Sequence, residues 1–335
     1  MSAWVRPFGG PRQKRFCGSE ASDVVHDALV PSESACAVAG RGREGQARLN
    51  LFVQQVLNGL TVGSVYALVA LGLTLVYGIL QVPNFSHGAL YAIGAYVAFF
   101  LVDRFAANFW LAMAGAAVAS AVLAVATERL VFEPLRKAPP LHDMIAAIGL
   151  LLFFESGIQA IWGADFYRLD APFNHILHFG GLTLPAQRVV IIGAAFAVMA
   201  ALHLFLTRTM TGATIIATAQ NRQGAALVGI DPTFVSMLTF AISGALAAVA
   251  AVLFAPISLL SPTMGELVIT KAFVIIILGG MGSVIGAIAG GLVIGFAETF
   301  GAFYVSTDYK DIIAFTLLVA ILSLRPQGLF GQIAR

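Results

Sequence analysis

Charge is what this sequence has least of. Only 11% of its 335 residues are Asp, Glu, Lys or Arg and 59% are hydrophobic, where soluble domains carry about a quarter charged residues. With a mean hydropathy of +0.88, an ordinary soluble domain is excluded and most of the chain belongs in lipid. No charged residue occurs between Arg48 and Asp103, a stretch long enough for two spans of about 20 residues each. Cysteine is also scarce: Cys17 and Cys36 both fall in a polar N-terminal segment, so neither a disulfide framework nor a cysteine metal site is indicated. The signatures of catalysis are missing too. No glycine-rich phosphate loop ends in Gly-Lys-Ser or Gly-Lys-Thr, which excludes ATP hydrolysis by the P-loop route, and His-Glu-x-x-His and Gly-x-Ser-x-Gly do not occur. The 6 histidines are scattered, leaving a membrane enzyme without a nucleophile–base or metal constellation and calling for no cofactor. A net charge of +2 without a basic patch gives no reason to expect nucleic acid as a partner.

The charge is unevenly spread: residues 1–48 carry Arg6, Arg12, Lys14, Arg15, Glu20 and further mixed charges among Gly, Pro and Ser. This segment lacks apolar periodicity and reads as a disordered N-terminal extension. It has no apolar core of signal-peptide type after the early basic residues. Residues 49–335 form the membrane domain. Apolar segments lie at 52–79, 84–102, 108–130, 142–163, 187–207, 233–260, 265–300 (two short helices) and 309–324. They are continuous rather than alternating, so the expected fold is an all-α polytopic bundle of about eight transmembrane segments and not a barrel. Residues 128–137, 165–187 and 208–232 read as loops. Arg129, Arg136 and Lys137, then Arg208 and Arg222, then Arg325 and Arg335 share the cytoplasmic side if 142–163 and 187–207 go out and back and 265–300 turns near Gly279–Gly282. Arg48 and Arg104 leave the orientation of the first spans open. Glycines four residues apart, Gly59/Gly63, Gly282/Gly286/Gly290 and Gly291/Gly295, allow the close helix contact by which spans associate in lipid.

Three features carry functional information. Asn84-Phe85-Ser86-His87-Gly88 follows Pro83 between two apolar runs; it is either a helix break lining a path through the protein or a loop at the membrane surface. Glu155, Lys271 and Glu298 are ionisable residues inside apolar segments, which in lipid are expensive and mark the bundle interior; the competing reading places the acids near the interface and pairs Lys271 locally with Glu266. Gln54, Asn58 and Thr61 share a helix face suited to lining a pore or, the favoured reading, to bonding a neighbouring helix. The segment from Arg208 through Gly212, Arg222, Gly229 and Ile230 to Pro232 is too long for a connector, helical in its middle and flanked by arginines, as a cytoplasmic docking element would be.

Several ordered motifs together resemble a family. Leu57-Asn58-Gly59-Leu60-Thr61, Ser64, Tyr66-Ala67-Leu68, Tyr77-Gly78, Asn84-Phe85-Ser86-His87-Gly88 and Gly94-Ala95-Tyr96 are similar to the opening of branched-chain amino acid ABC transporter permeases, of the LivH-type rather than the LivM-type. Glu128-Arg129, Ala147-Ile148-Gly149, Lys271-Ala272-Phe273, Leu278-Gly279-Gly280-Met281-Gly282-Ser283 and Ser306 to Asp311 continue the match over roughly residues 50–330. Residues 1–48 are extra to the family pattern, and Ser86 stands where the family often has Ala. The resemblance implies a multi-pass subunit of a bacterial inner-membrane importer. Its partners would be a second homologous permease, two cytoplasmic ABC ATPase subunits and a periplasmic substrate-binding protein. Leucine, isoleucine and valine are the implied cargo, with urea, short-chain amides or other amino acids as alternatives within the family. Asn84, His87, Lys271 and Glu298 are then translocation-path candidates; Gly212, Arg222, Gly229 and Ile230 are candidates for ATPase coupling. An ion-coupled secondary transporter, needing paired intramembrane acids such as Glu155 and Glu298, is the rival outside the family.

Overall fold

The computed structural model describes residues 33–136, 138–170, 173, 175–179, 182–325 and 327–330. The expected disorder of the extension falls, for residues 1–32, outside the described residues, as does Lys137. The chain divides into a unit over Met1–Ala47, whose described part is helical, and a unit over Arg48–Arg335. Seven segments among the described residues are long and apolar enough to cross a membrane: Asn50–Leu80 of helix α1 (Glu33–Leu80), α2 (Ser86–Phe105), Phe109–Leu135, α5 (Pro140–Trp162), α6 (Ala186–Arg208), α9 (Pro232–Phe254) and α11 (Val284–Tyr304). The third of them joins α3 (Phe109–Thr127), a π-helical turn (Glu128–Phe132) and α4 (Glu133–Leu135). Two shorter apolar helices, α10 (Met264–Gly279) and α12 (Lys310–Leu324), have 16 and 15 residues, or lengths of about 24 and 22 Å at 1.5 Å per residue. The protein is therefore a polytopic all-α membrane protein with a crossing number close to the expected eight.

Its centre is α1. A helix apolar on every face is stable only when surrounded, and Ala67, Leu68, Val69, Ala70, Leu71 and Leu73 are all fully buried. α2 and α9 approach it at Gly72, beside His87 and the Ser243 carbonyl, and α3 packs on both of them at Ser120. Small residues set the contacts, as expected where lipid removes the hydrophobic drive between helices: α11 lies on α1 so closely that a Cβ on Gly295 would sit 2.3 Å from the Cα of Gly63. The interhelical role expected for Asn58 and Thr61 is not what they do. Asn58 bonds Gln55 on its own helix, and Thr61 returns its hydroxyl to the Leu57 carbonyl at 2.7 Å, the ordinary way for a threonine to satisfy itself inside a helix.

Two predicted loops contain structure. Within 165–187 lies an antiparallel hairpin, β1 (Ile176–Phe179) with β2 (Leu182–Pro185), too short for periodicity to reveal. Within 208–232 lie α7 (Met210–Gln220) and α8 (Arg222–Leu227), separated by Asn221. The turn expected inside 265–300 is present at Gly280–Ser283, where Gly280 and Gly282 adopt φ of 101° and 84°.

Contacts between helix ends answer the orientation question. The C-terminal end of α1 meets α7 at Gly78 and Ala219. Arg136 reaches Thr233 in the first turn of α9, and α6 leads directly into α7. α11 runs antiparallel to α1, with Gly291 beside Ala67 and Gly295 beside Gly63, and the amides of Leu329 and Phe330 bond the carbonyls of Leu278 and Gly279. Arg129, Arg136, Arg208, Arg222 and Arg325 thus gather at one end of the bundle. α2 runs parallel to α9, with His87 beside Ser243 and Gly94 beside Ala248, so Arg104 lies at the opposite end, as does Arg48 at the start of the first span.

Candidate functional site

The tight α10–α11 hairpin stands Lys271 opposite Glu298. The Lys271 ammonium donates to Glu298 Oε2 at 2.9 Å and to Tyr66 Oη at 3.0 Å, and lies 3.2 Å from Asp311 Oδ1 at the start of α12. Tyr66 in turn donates to Glu298 Oε2 at 2.9 Å. The ammonium thus hydrogen-bonds groups on α1 and α11 and is ion-paired with a carboxylate on α12. The Glu298 side chain is only 7% exposed and that of Lys271 16%, whereas Asp311 is 51% exposed. The buried pair is fixed and the third partner stands at an opening.

That opening is a cavity of about 250 Å³ between α10, α11 and α12. Its polar wall is Glu266, Thr270, Lys271 and Asp311; its apolar wall is Leu267, Val274, Ile294, Ala314 and Phe315. Of the path candidates, the structure unites Lys271 and Glu298. The pairing is with Glu298 and Asp311, not with Glu266, which lines the same cavity. Asn84 and His87 are elsewhere. Asn84 is 2% exposed and accepts from the Ser86 amide at 3.1 Å and hydroxyl at 2.6 Å. His87 is fully buried, with Nε2 3.1 Å from the Val69 carbonyl and Nδ1 3.0 Å from Ser243 Oγ. The carbonyl can only accept, so Nε2 carries the proton and Nδ1 accepts from Ser243. His87 fastens the start of α2 to α1 and α9, Asn84 bonds only within that start, and neither lines the cavity. Glu155 lies on α5, outside the cavity wall. Tyr66 and Asp311 completed the cluster without having been singled out for it; their distance in sequence from Lys271 hides them, although both stand inside motifs of the family pattern.

The coupling candidates lie on or next to the α7–α8 element, with Gly212 buried and Gly229 exposed. Thr209 Oγ1 accepts from the Gly212 amide at 3.0 Å to start α7, and Asn221 Oδ1 accepts from the Gly224 amide at 2.8 Å to start α8, side-chain caps at both N-termini. Arg222 opens α8 and Gly229 closes it at φ 89°, a conformation glycine adopts freely. Ile230 then packs into the core, and Asp231 caps α9 through the Thr233 amide at 2.9 Å. Behind the element is a charge pair that the sequence reading left unassigned. Glu128, fully buried in the π-helical turn, is ion-paired with Arg136 and accepts from Ser236 Oγ at 2.9 Å; Arg136 also donates to Thr233 Oγ1 at 3.1 Å. Partial burial and the neighbouring positive Arg136 draw the Arg222 guanidinium below the ordinary arginine range, with Glu128 opposing them.

Residues 55–322 match the profile of the family described as branched-chain amino acid transport system / permease component. The chain belongs to that family. The permease is 37% identical over 296 residues to the high-affinity branched-chain amino acid transport system permease protein LivH of Escherichia coli K12, covering 84% of this chain and 96% of that protein. It is 29% identical over 296 residues to LivM of the same strain, covering 80% of this chain and 68% of that protein. Among solved structures, a chain of PsaBC from Streptococcus pneumoniae in complex with Fab matches with a TM-score of 0.46 at 14% identity, covering 82% of this chain and 92% of that one. The permease shares its LivH-type character with the bacterial relatives through nearly their whole length.

Proposed function

We propose that this permease is the membrane subunit of an ATP-driven importer of branched-chain amino acids in a bacterial inner membrane, working with a second homologous permease, two cytoplasmic ATPases and a periplasmic binding protein. ATP hydrolysis resides on the separate ATPases. The family match supports the transport role and the cargo class. The single structural observation that carries the path is the Lys271–Glu298–Asp311 cluster opening into the α10–α12 cavity. Charged groups are not left facing lipid, so the rim with its exposed Glu266, Thr270 and Asp311 faces water or the second permease, and the cargo moves along that seam. The arginine-rich end with α7 and α8 is the cytoplasmic end. There the α7–α8 element meets the ATPase, with Arg222 and Gly229 toward it and the buried Gly212 and core-packed Ile230 holding the element in place.

Co-purification tests this arrangement. Tagged permease co-expressed with the two ATPases, the second permease and the binding protein of its own gene cluster is expected to bring down both ATPases in stoichiometric amount. Arg222→Glu, which reverses the charge of a half-buried residue at that end, is expected to retain the second permease and lose the ATPases. Isolation of the wild-type permease free of any ATPase, with both ATPases present in the lysate, would overturn the proposal.

A further inference from the structure

The α10–α12 cavity has the composition of a site for one chemical class. One wall is charged with both signs: the Lys271 ammonium, and the carboxylates of Glu266 and Asp311, with the Thr270 hydroxyl beside them. The other wall, Leu267, Val274, Ile294, Ala314 and Phe315, is entirely apolar. At about 250 Å³ the space is below the roughly 300–1,000 Å³ of pockets for drug-sized ligands. A small molecule with a zwitterionic head and an aliphatic tail satisfies both walls; urea and short amides leave the charges unmatched, and sugars leave the apolar wall unmatched.

The hydrogen bonds indicate how the head group would enter. Lys271 donates hydrogen bonds to Glu298 and Tyr66 and is ion-paired with Asp311. Glu298 and Tyr66 are buried and bonded to each other at 2.9 Å, so they hold the ammonium in place. Asp311 is half exposed and longest at 3.2 Å, the one partner free to leave.

Resting on the importer reading, we propose that this cavity is a holding site for the zwitterionic amino acid on its way through the permease. The cargo carboxylate takes the place of Asp311 on Lys271. The released Asp311, together with Glu266, receives the cargo ammonium. One intramolecular ion pair opens and two intermolecular ones form. Leu267, Val274, Ile294, Ala314 and Phe315 enclose the branched side chain. Lys271 and Asp311 are thereby the two residues that read the head group, each reading one end of it.

The test is equilibrium binding of radiolabelled leucine to the purified complex of two permeases and two ATPases without binding protein, competed by leucine, by leucinamide, which lacks the carboxylate, and by 4-methylvalerate, which lacks the ammonium. Wild type is expected to prefer leucine over either analogue by at least tenfold. Lys271→Met is expected to lose the preference over leucinamide while keeping that over 4-methylvalerate, and Asp311→Asn the reverse. A merely structural role would lower all three affinities together. Since Lys271→Met leaves Glu298 buried without its cation, Lys271→Met/Glu298→Gln serves where the single variant does not assemble. Phe315→Ala, half exposed on the rim, is expected to weaken leucine more than alanine. Equal competition by all three compounds, absence of a saturable leucine site in wild type, or uniform losses in the variants would overturn the holding site. Leucine uptake that still requires ATP and the binding protein would then leave the importer reading intact, whereas absence of such uptake removes that reading itself.

Discussion

Replacing Gly295 by alanine places one methyl group where α11 crosses α1. The added carbon would lie 2.3 Å from Gly63 Cα and 2.4 Å from Gly63 N, whereas carbon atoms rest at about 3.5–4.0 Å. Both obstacles are backbone, so no side chain can swing aside, and the helices must separate by more than about 1 Å. Overpacking of this kind costs about 1–3 kcal/mol. Glu298 sits nearly one turn further along α11, so the same displacement stretches its 2.9 Å bond to Tyr66 past the range of about 3.2 Å in which such bonds hold. The variant is expected to melt several degrees below wild type in detergent and to transport poorly. Gly193→Ala is the matched control: it lies mid-helix in α6 with nothing within 4 Å of the new Cβ, and is expected to be neutral or slightly stabilising, alanine being the better helix former by about 1 kcal/mol. Equal melting midpoints and equal uptake for the two variants would refute the close-contact account of the α1–α11 interface.

Other consequences can be checked alongside. Glu128→Met leaves Arg136 without its buried counter-ion and is expected to cost about 3–5 kcal/mol, whereas the double variant with Arg136→Met recovers most of it, because a buried pair exchanged for apolar groups is near neutral; thermal unfolding of both distinguishes them. Ser243→Ala removes the donor to His87 Nδ1 and is expected to lower the melting midpoint by the equivalent of about 1–3 kcal/mol without altering leucine selectivity in uptake assays. Asn221→Ala strips the cap of α8 at about 1 kcal/mol and is expected to reduce ATPase co-purification without changing insertion.

The bundle was legible because lipid makes a single demand, long uninterrupted apolar runs, and seven of the segments meet it. The turn at Gly280–Ser283 was legible because glycines punctuate an apolar run too long for one span. The hairpin over residues 176–185 was not, since strands of four residues carry no period. At the site, Lys271 and Glu298 stood out because charge in an apolar segment is costly wherever it lies. Their partnership did not, because 27 positions separate them and 205 separate Lys271 from Tyr66; the nearest acid in sequence, Glu266, was the natural but incorrect choice. Glu128 was visible only as a family motif, as nothing local marks a π-helical turn that carries its carboxylate inward to Arg136. Asn84 and His87 illustrate the opposite case: polar residues after a proline stood out in sequence, but not that His87 links α2 to α1 and α9 while Asn84 bonds Ser86.

The most direct test of the central claim is uptake of labelled leucine by cells lacking their own system, with the permease expressed with and without its companion permease, ATPases and binding protein. Uptake that requires all partners and stops when ATP is depleted is the predicted result. Uptake by this chain alone, driven by an ion gradient, would contradict it.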